Sequence, residues 1–325
     1  MRQVLVAGVI ALLALAGRAQ AADGTMVLYT SQPDAIAAQT VAAFRKAEPG
    51  VTVEVFRSGT TQVLSKLAAE IAAGSPHADA LLIADAMSLE GLKAAGQLAP
   101  EPDIDVSALP AASYDAGRTY FGTKLITTGI AVNTHATFVP KTWADLLRPE
   151  VAGSVALPSP LYSGAAMITA GAFAQDAALG PNFLAKLAKA GATATPGNGG
   201  VLSAVSSGQD SYGILVDFMA LNAAKKGAPI RFVIPAEGLT AVTEPVAVLK
   251  SAHNPAAAAA FVRFLLSRPG QELAAQQGFL PARQDVPPPP GFPAGAEVKL
   301  MPVDLARVLQ DQAQLKQSFA TAFGE

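Results

Sequence analysis

Apolar and polar positions alternate along this chain in blocks whose spacing switches between strand and helix. Residues 4–16 form an almost unbroken apolar run behind Met1-Arg2 and close on Ala19-Gln20-Ala21. A positive start, an apolar run too short to span a bilayer and a small-x-small box are the layout of a secretory signal peptide. Residues 1–22 are therefore assigned to a signal, with a mature chain starting near Ala22. Beyond it, Met26-Val-Leu-Tyr29 predicts a short strand. Ile36, Val41 and Phe44 share a helical stripe over 34–47, and Val51, Val53 and Val55 alternate as in a strand. Val63, Leu64, Leu67 and Ile71 predict a helix over 61–73, followed by a buried strand over 80–83. Two successive βα units predict a parallel sheet covered by helices.

The second half repeats the scheme. Strands are predicted over 124–133, 154–157, 213–216, 231–234 and 241–249, and helices over 163–173, 254–267 and 305–323, with a helical turn over 201–206. Phe261, Phe264 and Leu265 form the inward stripe of the helix over 254–267. Pro287 to Pro290 is stiff and non-helical and reads as a surface linker. The fold class is α/β.

Composition narrows the functional classes. The chain has no cysteine, which removes disulfides, thiolate zinc sites and a cysteine nucleophile. Two of its 23 basic residues, Arg2 and Arg18, lie in the signal, so the mature chain is acidic overall against 25 Asp and Glu. That balance gives no electrostatic footprint for nucleic acid. The histidines are His77, His135 and His253. They are far apart in sequence, and His77 and His253 sit in turn-like stretches. No Gly-x-Ser-x-Gly elbow or His-Glu-x-x-His helix occurs. A binding protein is favoured over an enzyme, with a secreted hydrolase as the alternative from another class.

Several stretches in order carry a family resemblance. They are Leu28-Tyr-Thr-Ser31, Ser58-Gly-Thr-Thr61, Ala78-Asp-Ala-Leu81, Gly129-Ile-Ala-Val-Asn133, Thr142-Trp-Ala-Asp-Leu146 and Phe261-Val-Arg-Phe-Leu-Leu266 with Pro269-Gly-Gln-Glu272. The chain resembles the periplasmic solute-binding proteins of ABC importers, in the ferric-ion and phosphonate-type branch, over nearly all of its mature length. The resemblance implies a two-lobe, type II-like periplasmic-binding-protein fold whose lobes clamp a solute and are joined by two hinge-crossing strands. It places the first lobe at about 23–128 and 243–285 and the second at about 129–242 and 286–325. It implies a small-molecule solute and an inner-membrane ABC permease as partners, a periplasmic location, a monomer and no cofactor. A ferric-ion-binding protein using a bound anion is the alternative within the family. Ferric members hold iron with adjacent tyrosines, which align by eye with Phe218 and Met219. Their histidine falls near Gln32 and Pro33, and their glutamate at Ala84 beside Asp85.

In open parallel sheets ligands bind beyond the carboxyl ends of the strands, which selects the candidate site. Thr30 and Ser31 follow the first strand; Ser58, Gly59 and Thr60 enter a helix; Tyr162, Ser163 and Gly164 enter another. Asn198 lies in a glycine-rich run, where backbone can approach a ligand closely. Hydroxyls and free N–H groups at helix starts suit an anion, although Ser and Thr there also serve as plain caps. Asp85 and Asp217 follow buried strands and would pair with a solute ammonium, unless they too are caps. The expected solute is a small polar anion or zwitterion, phosphate- or phosphonate-like. Lys124 either adds a charge near the hinge or is a solvated surface lysine.

Overall fold

A computed structural model describes residues 22–289 and 299–325. The signal-peptide assignment, and Pro290 at the end of the proline run, lie outside the described residues. The chain opens with β1 (Gly24–Thr30), α1 (Asp34–Ala47), β2 (Val51–Arg57), α2 (Thr60–Ala72), β3 (Ala80–Leu82), α3 (Ala86–Ala94) and β4 (Phe121–Gly122). It continues through β5 (Lys124–Asn133), β6 (Val155–Pro158), α4 (Gly164–Gln175), α5 (Phe183–Lys189), β7 (Thr193–Thr195), α6 (Asn198–Ser207), β8 (Tyr212–Val216), α7 (Asp217–Lys225), β9 (Ile230–Val233) and β10 (Thr240–Val242). It ends with β11 (Pro245–Val248), α8 (Pro255–Leu266), α9 (Arg268–Gln276), β12 (Leu280–Pro281) and α10 (Leu305–Phe323).

These strands form two sheets. The first has the order β2-β1-β3-β11-β4, with β1, β2 and β3 parallel and β11 antiparallel to β3 and β4. The second runs β10-β5-β8-β6-β7, with β6 parallel to both β7 and β8, and with β9 and β12 also pairing β5. The chain passes between the sheets at Thr123 and again at Thr243-Glu244. The two passages lie side by side: Thr123 N donates to Glu244 O at 3.3 Å and Lys124 N to Thr243 O at 3.4 Å.

Local sequence explains the main elements. Asp34 in the first turn of α1 and Arg45 and Lys46 in its last oppose the helix dipole favourably. Asn254 caps α8 through Ala257 N, and Pro255 at the first helical position needs no N–H partner. One core packs Met26, Leu28, Phe44, Val246 and Phe261 on the first sheet. Another packs Trp143, Phe173, Phe183 and Phe319 on the second, with the Trp143 and Phe173 rings 4.8 Å apart edge to face.

Three differences from the sequence expectation have physical causes. The single strand expected over 241–249 is two strands in different sheets. Pro245 has no N–H to continue a ladder, and Glu244 turns the chain with φ 34. Val55 is 43% exposed although it alternates with Val51 and Val53, because β2 is an edge strand. Helices α3, α5, α7 and α9 were not legible. α3 and α7 follow their strands with an aspartate, and α9 starts in Arg-Pro-Gly, which reads as a turn.

Candidate solute cleft

The carboxyl ends of six parallel strands, three from each sheet, open on one cavity of about 410 Å³. Ser31 follows β1, Arg57 ends β2 with Ser58 after it, and Ala84 follows β3. From the second sheet, Tyr162 and Ser163 follow β6, Pro196 to Gly199 follow β7, and Val216, Phe218 and Met219 lie at the end of β8. Ile126 and Glu244, near the two passages between the sheets, complete the wall with Pro33 and Gln62.

Five helices start at residues lining this cavity, α1 behind Pro33 and α7 behind Val216 among them, and α2, α4 and α6 bring polar side chains there. Helix α2 begins at Thr60 behind Gly59 and has no side-chain cap. The Ser58 and Thr60 hydroxyls hydrogen-bond to no described residue, so neither is spent on capping. Helix α4 begins behind Ser163, whose Oγ accepts from Ala166 N at 3.3 Å and whose O–H remains free to donate. Helix α6 begins at Asn198, whose Oδ1 accepts from Val216 N at 3.4 Å. Its Nδ2 donates to no described residue. Ser31 Oγ accepts from Ala84 N at 3.0 Å and likewise keeps its own hydrogen.

The charges are uneven. Arg57 donates through Nε to Gln32 O at 2.8 Å and also pairs with the exposed Asp34 carboxylate, Nε to Oδ1 3.5 Å, so its guanidinium lies at the cavity wall with its charge partly offset. Glu244 is the one acid among the residues lining the cavity. Its Oε2 lies 2.5 Å from Lys124 Nζ and 3.1 Å from Gln32 Nε2. Lys124 is therefore buried, not a solvated surface lysine, and its Nζ also sits 4.5 Å from the Phe279 ring centroid.

Of the residues expected at the site, Ser31, Ser58, Gly59, Thr60, Tyr162, Ser163 and Asn198 line the cavity. Four do not. Thr30 is fully buried, its Oγ1 donating to Leu82 O at 2.7 Å and accepting from Gln32 N. Gly164 packs against Ala84 O on the far side of the opening. Asp85 caps α3 through Met87 N and Ser88 N and also accepts from Ser88 Oγ. Asp217 is fully buried; its Oδ2 accepts from Thr127 Oγ1 at 2.7 Å and its Oδ1 from Phe218 N. Asp85 thus caps a helix, Asp217 is held inside the fold by Thr127 and Phe218 N, and neither lines this cavity. Sequence reasoning missed Arg57, Gln62 and Glu244. Arg57 was findable as a cation at a strand's carboxyl end. Glu244 was hidden inside a stretch that read as continuous strand.

Burial pushes the Asp217 carboxyl up to about 7, against the opposing effect of its hydrogen bonds from Thr127 and Phe218. A group raised on folding contributes stability below its unfolded value near 4, and loses it as pH rises through about 7. Asp217→Asn should therefore gain on the parent as pH rises, by on the order of a few kcal/mol at pH 8. Urea unfolding of both proteins at pH 5 and pH 8 checks this. A stability difference that does not change with pH would show that Asp217 ionises without cost.

Residues 26–280 match the family described as bacterial extracellular solute-binding protein. An uncharacterized protein of Haemophilus influenzae is 28% identical over 284 residues, covering 82% of this chain and 79% of its own. Among solved structures, the periplasmic binding protein AfuA from Actinobacillus pleuropneumoniae, with fructose-6-phosphate bound, superposes with a TM-score of 0.83 at 21% identity, over 92% of this chain and 98% of that one. Iron-bound HitA from Pseudomonas aeruginosa gives 0.78 at 24% identity, over 91% and 99%. The substrate binding protein of an ABC transporter from Agrobacterium tumefaciens gives 0.80 at 19%, over 94% and 96%. The shared fold is the two-sheet periplasmic-binding-protein fold.

Proposed function

The chain belongs to the bacterial extracellular solute-binding protein family, and we propose that it captures a small polar anion, phosphate- or phosphonate-like, in the cavity between its sheets. It is the solute-binding component of an ABC importer, working in the periplasm with a solute and a permease as partners. No helix among the described residues is long and apolar enough to cross a membrane.

The observation that carries the anion reading is the convergence of three helix starts, free Ser and Thr hydroxyls and Arg57 on one cavity. Unpaired N–H groups and the dipole at a helix start favour negative charge, and the Arg57 guanidinium adds a positive group that it shares with the exposed Asp34. A zwitterion loses its support because Asp85 and Asp217 are used elsewhere. Against Fe³⁺ stand Phe218 and Met219, which line the cavity and offer no hard oxygen donor. Among the described residues no cluster of three or more His, Asp or Glu is placed to hold a metal.

Binding is read as closure of two lobes, 23–128 with 243–285 and 129–242 with 286–325, about the paired passages at Thr123 and Glu244. A solute that touches both lobes stabilises the closed form through contacts available only there. Calorimetry with phosphate esters, phosphonates and Fe³⁺-citrate tests the class of solute. Thr60→Ala and Ser163→Ala should each remove a hydrogen bond to a charged group, a roughly 10- to 150-fold loss in affinity. Thr60→Ala should leave the ligand-free protein as stable as the parent, whereas Ser163→Ala also loses a cap, worth about 1 kcal/mol. If both variants bind like the parent, the anion does not lie at these helix starts.

A further inference from the structure

The cavity is rich in donors, yet its wall also presents a carboxylate oxygen that no described residue engages. Glu244 is nine-tenths buried or more, and both of its side-chain partners, Lys124 and Gln32, engage the same oxygen, Oε2. Its Oε1 takes a hydrogen bond from no described residue, and Glu244 faces the cavity. The Oε1 of Gln62, in the same wall, is buried without a hydrogen-bond partner. A carboxylate oxygen fixed at a cavity wall by the ties on its partner oxygen is a positioned acceptor for whatever enters the cavity.

We propose that Glu244 is the specificity-determining residue of the cleft, its Oε1 accepting a hydrogen bond from a hydroxyl of the solute, so that the solute class is a hydroxyl-bearing organic phosphate or phosphonate. This rests on the anion reading of the same cavity. The neighbouring charge decides between a hydroxyl and an ammonium as the donor. Lys124 Nζ lies 2.5 Å from the other carboxylate oxygen, so the pair is neutral as a unit. An ammonium at Oε1 would face the Lys124 charge at close range, and like charges placed together oppose binding. A neutral hydroxyl completes the acceptor without that repulsion. The anionic end is then held by the helix starts and Arg57, and the hydroxylated end by Glu244. A site built to hydrogen-bond a hydroxyl discriminates against an analogue that lacks it, because its buried acceptor is then left unpaired.

Calorimetry on the whole secreted chain tests this with four phosphate monoesters: fructose 6-phosphate, glycerol 3-phosphate, ethyl phosphate and O-phosphoethanolamine. At least one hydroxylated ester should bind roughly 10-fold or more tighter than ethyl phosphate, and phosphoethanolamine no tighter than ethyl phosphate. Glu244→Gln should weaken the hydroxylated ester by about the same factor. It should leave ethyl phosphate unchanged or tighter, since the Lys124 charge is then no longer neutralised. A merely structural role for Glu244 would weaken all esters alike, and that result overturns the proposal. So does ethyl phosphate binding as well as the hydroxylated esters in the parent protein, a comparison that needs no variant to fold. Tighter binding of phosphoethanolamine would assign the acceptor to an ammonium instead. If none of the four binds, the anion reading itself fails; if ethyl phosphate binds and a hydroxyl adds nothing, only the role of Glu244 fails.

Discussion

Gly164→Ala is expected to remove tight solute binding while leaving the ligand-free fold intact. Gly164 opens α4, and a Cβ built on it would lie 2.3 Å from Ala84 O and 3.0 Å from Asp85 Cβ. Those atoms belong to the other sheet's β3–α3 connection, and the nearer one is backbone. That connection is anchored on both sides: Ile83 N donates to Pro245 O at 3.2 Å and Ala84 N to Ser31 Oγ at 3.0 Å. A short shift of a flexible side chain therefore cannot relieve the clash. What can yield is the separation between α4 and β3, which means a wider cleft. The same approach is marked nearby, where Thr61 N donates to Tyr162 O at 3.4 Å across the opening. It is marked again where Met87 of α3 packs into the apolar cluster of Ala165 and Met167.

Alanine at the first position of a helix costs that helix nothing, so thermal unfolding without solute should match the parent closely. Overpacking at a rigid contact costs about 1–3 kcal/mol or more, and on the reading of binding as lobe closure, with the described Gly164–Ala84 contact belonging to the closed form, that cost falls on the closed arrangement. Affinity should fall roughly 10- to 100-fold or further. Small-angle scattering should show less compaction on adding solute than the parent shows. A variant that binds and compacts like the parent would mean that the Gly164–Ala84 contact is absent from the solute-bound form.

The sequence made the frame of this site legible and hid its polarity. Apolar stripes such as Ile36, Val41 and Phe44 located α1, and a rule about parallel sheets then pointed to Ser31, Ser58, Thr60, Ser163 and Asn198 without any knowledge of which strands pair. The acids were misassigned for a reason intrinsic to such sheets. A residue just past a strand is often also the first residue of the next helix, and an aspartate suits a helix start as well as a ligand. Only the partners decide, Met87 N and Ser88 N for Asp85 and Thr127 and Phe218 for Asp217. Glu244 was hidden differently. Its neighbours Val242 and Val246 continue an apolar alternation across a break, and Pro245 was the one local sign that the ladder could not run through. Its partner Lys124 lies 120 positions away at the other passage, a pairing that periodicity cannot report.

That pairing supports the largest expected change in stability. The Lys124 and Glu244 side chains are each 3% exposed, with Nζ and Oε2 2.5 Å apart. Lys124→Met keeps the stem and removes the charge, leaving a buried carboxylate with Gln32 as its remaining side-chain partner. Breaking a buried pair from one side costs about 3–5 kcal/mol, because the other charge stays uncompensated. At ~2–4 °C per kcal/mol for a chain of this size, the melting temperature should fall by on the order of 10 °C. Two other causes would give a similar loss, poor packing of methionine and the lost contact with the Phe279 ring, 4.5 Å from Nζ. Adding Glu244→Gln separates them. Replacing both charges by neutral groups removes the desolvation cost along with the attraction and is often close to neutral, so the double variant should recover most of the stability. Packing and ring contact are equally lost in both proteins and would give no recovery. If Lys124→Met unfolds within about 1 kcal/mol of the parent, the value of an exposed surface pair, the two charges are solvated and the passage between the sheets is held by its backbone hydrogen bonds alone.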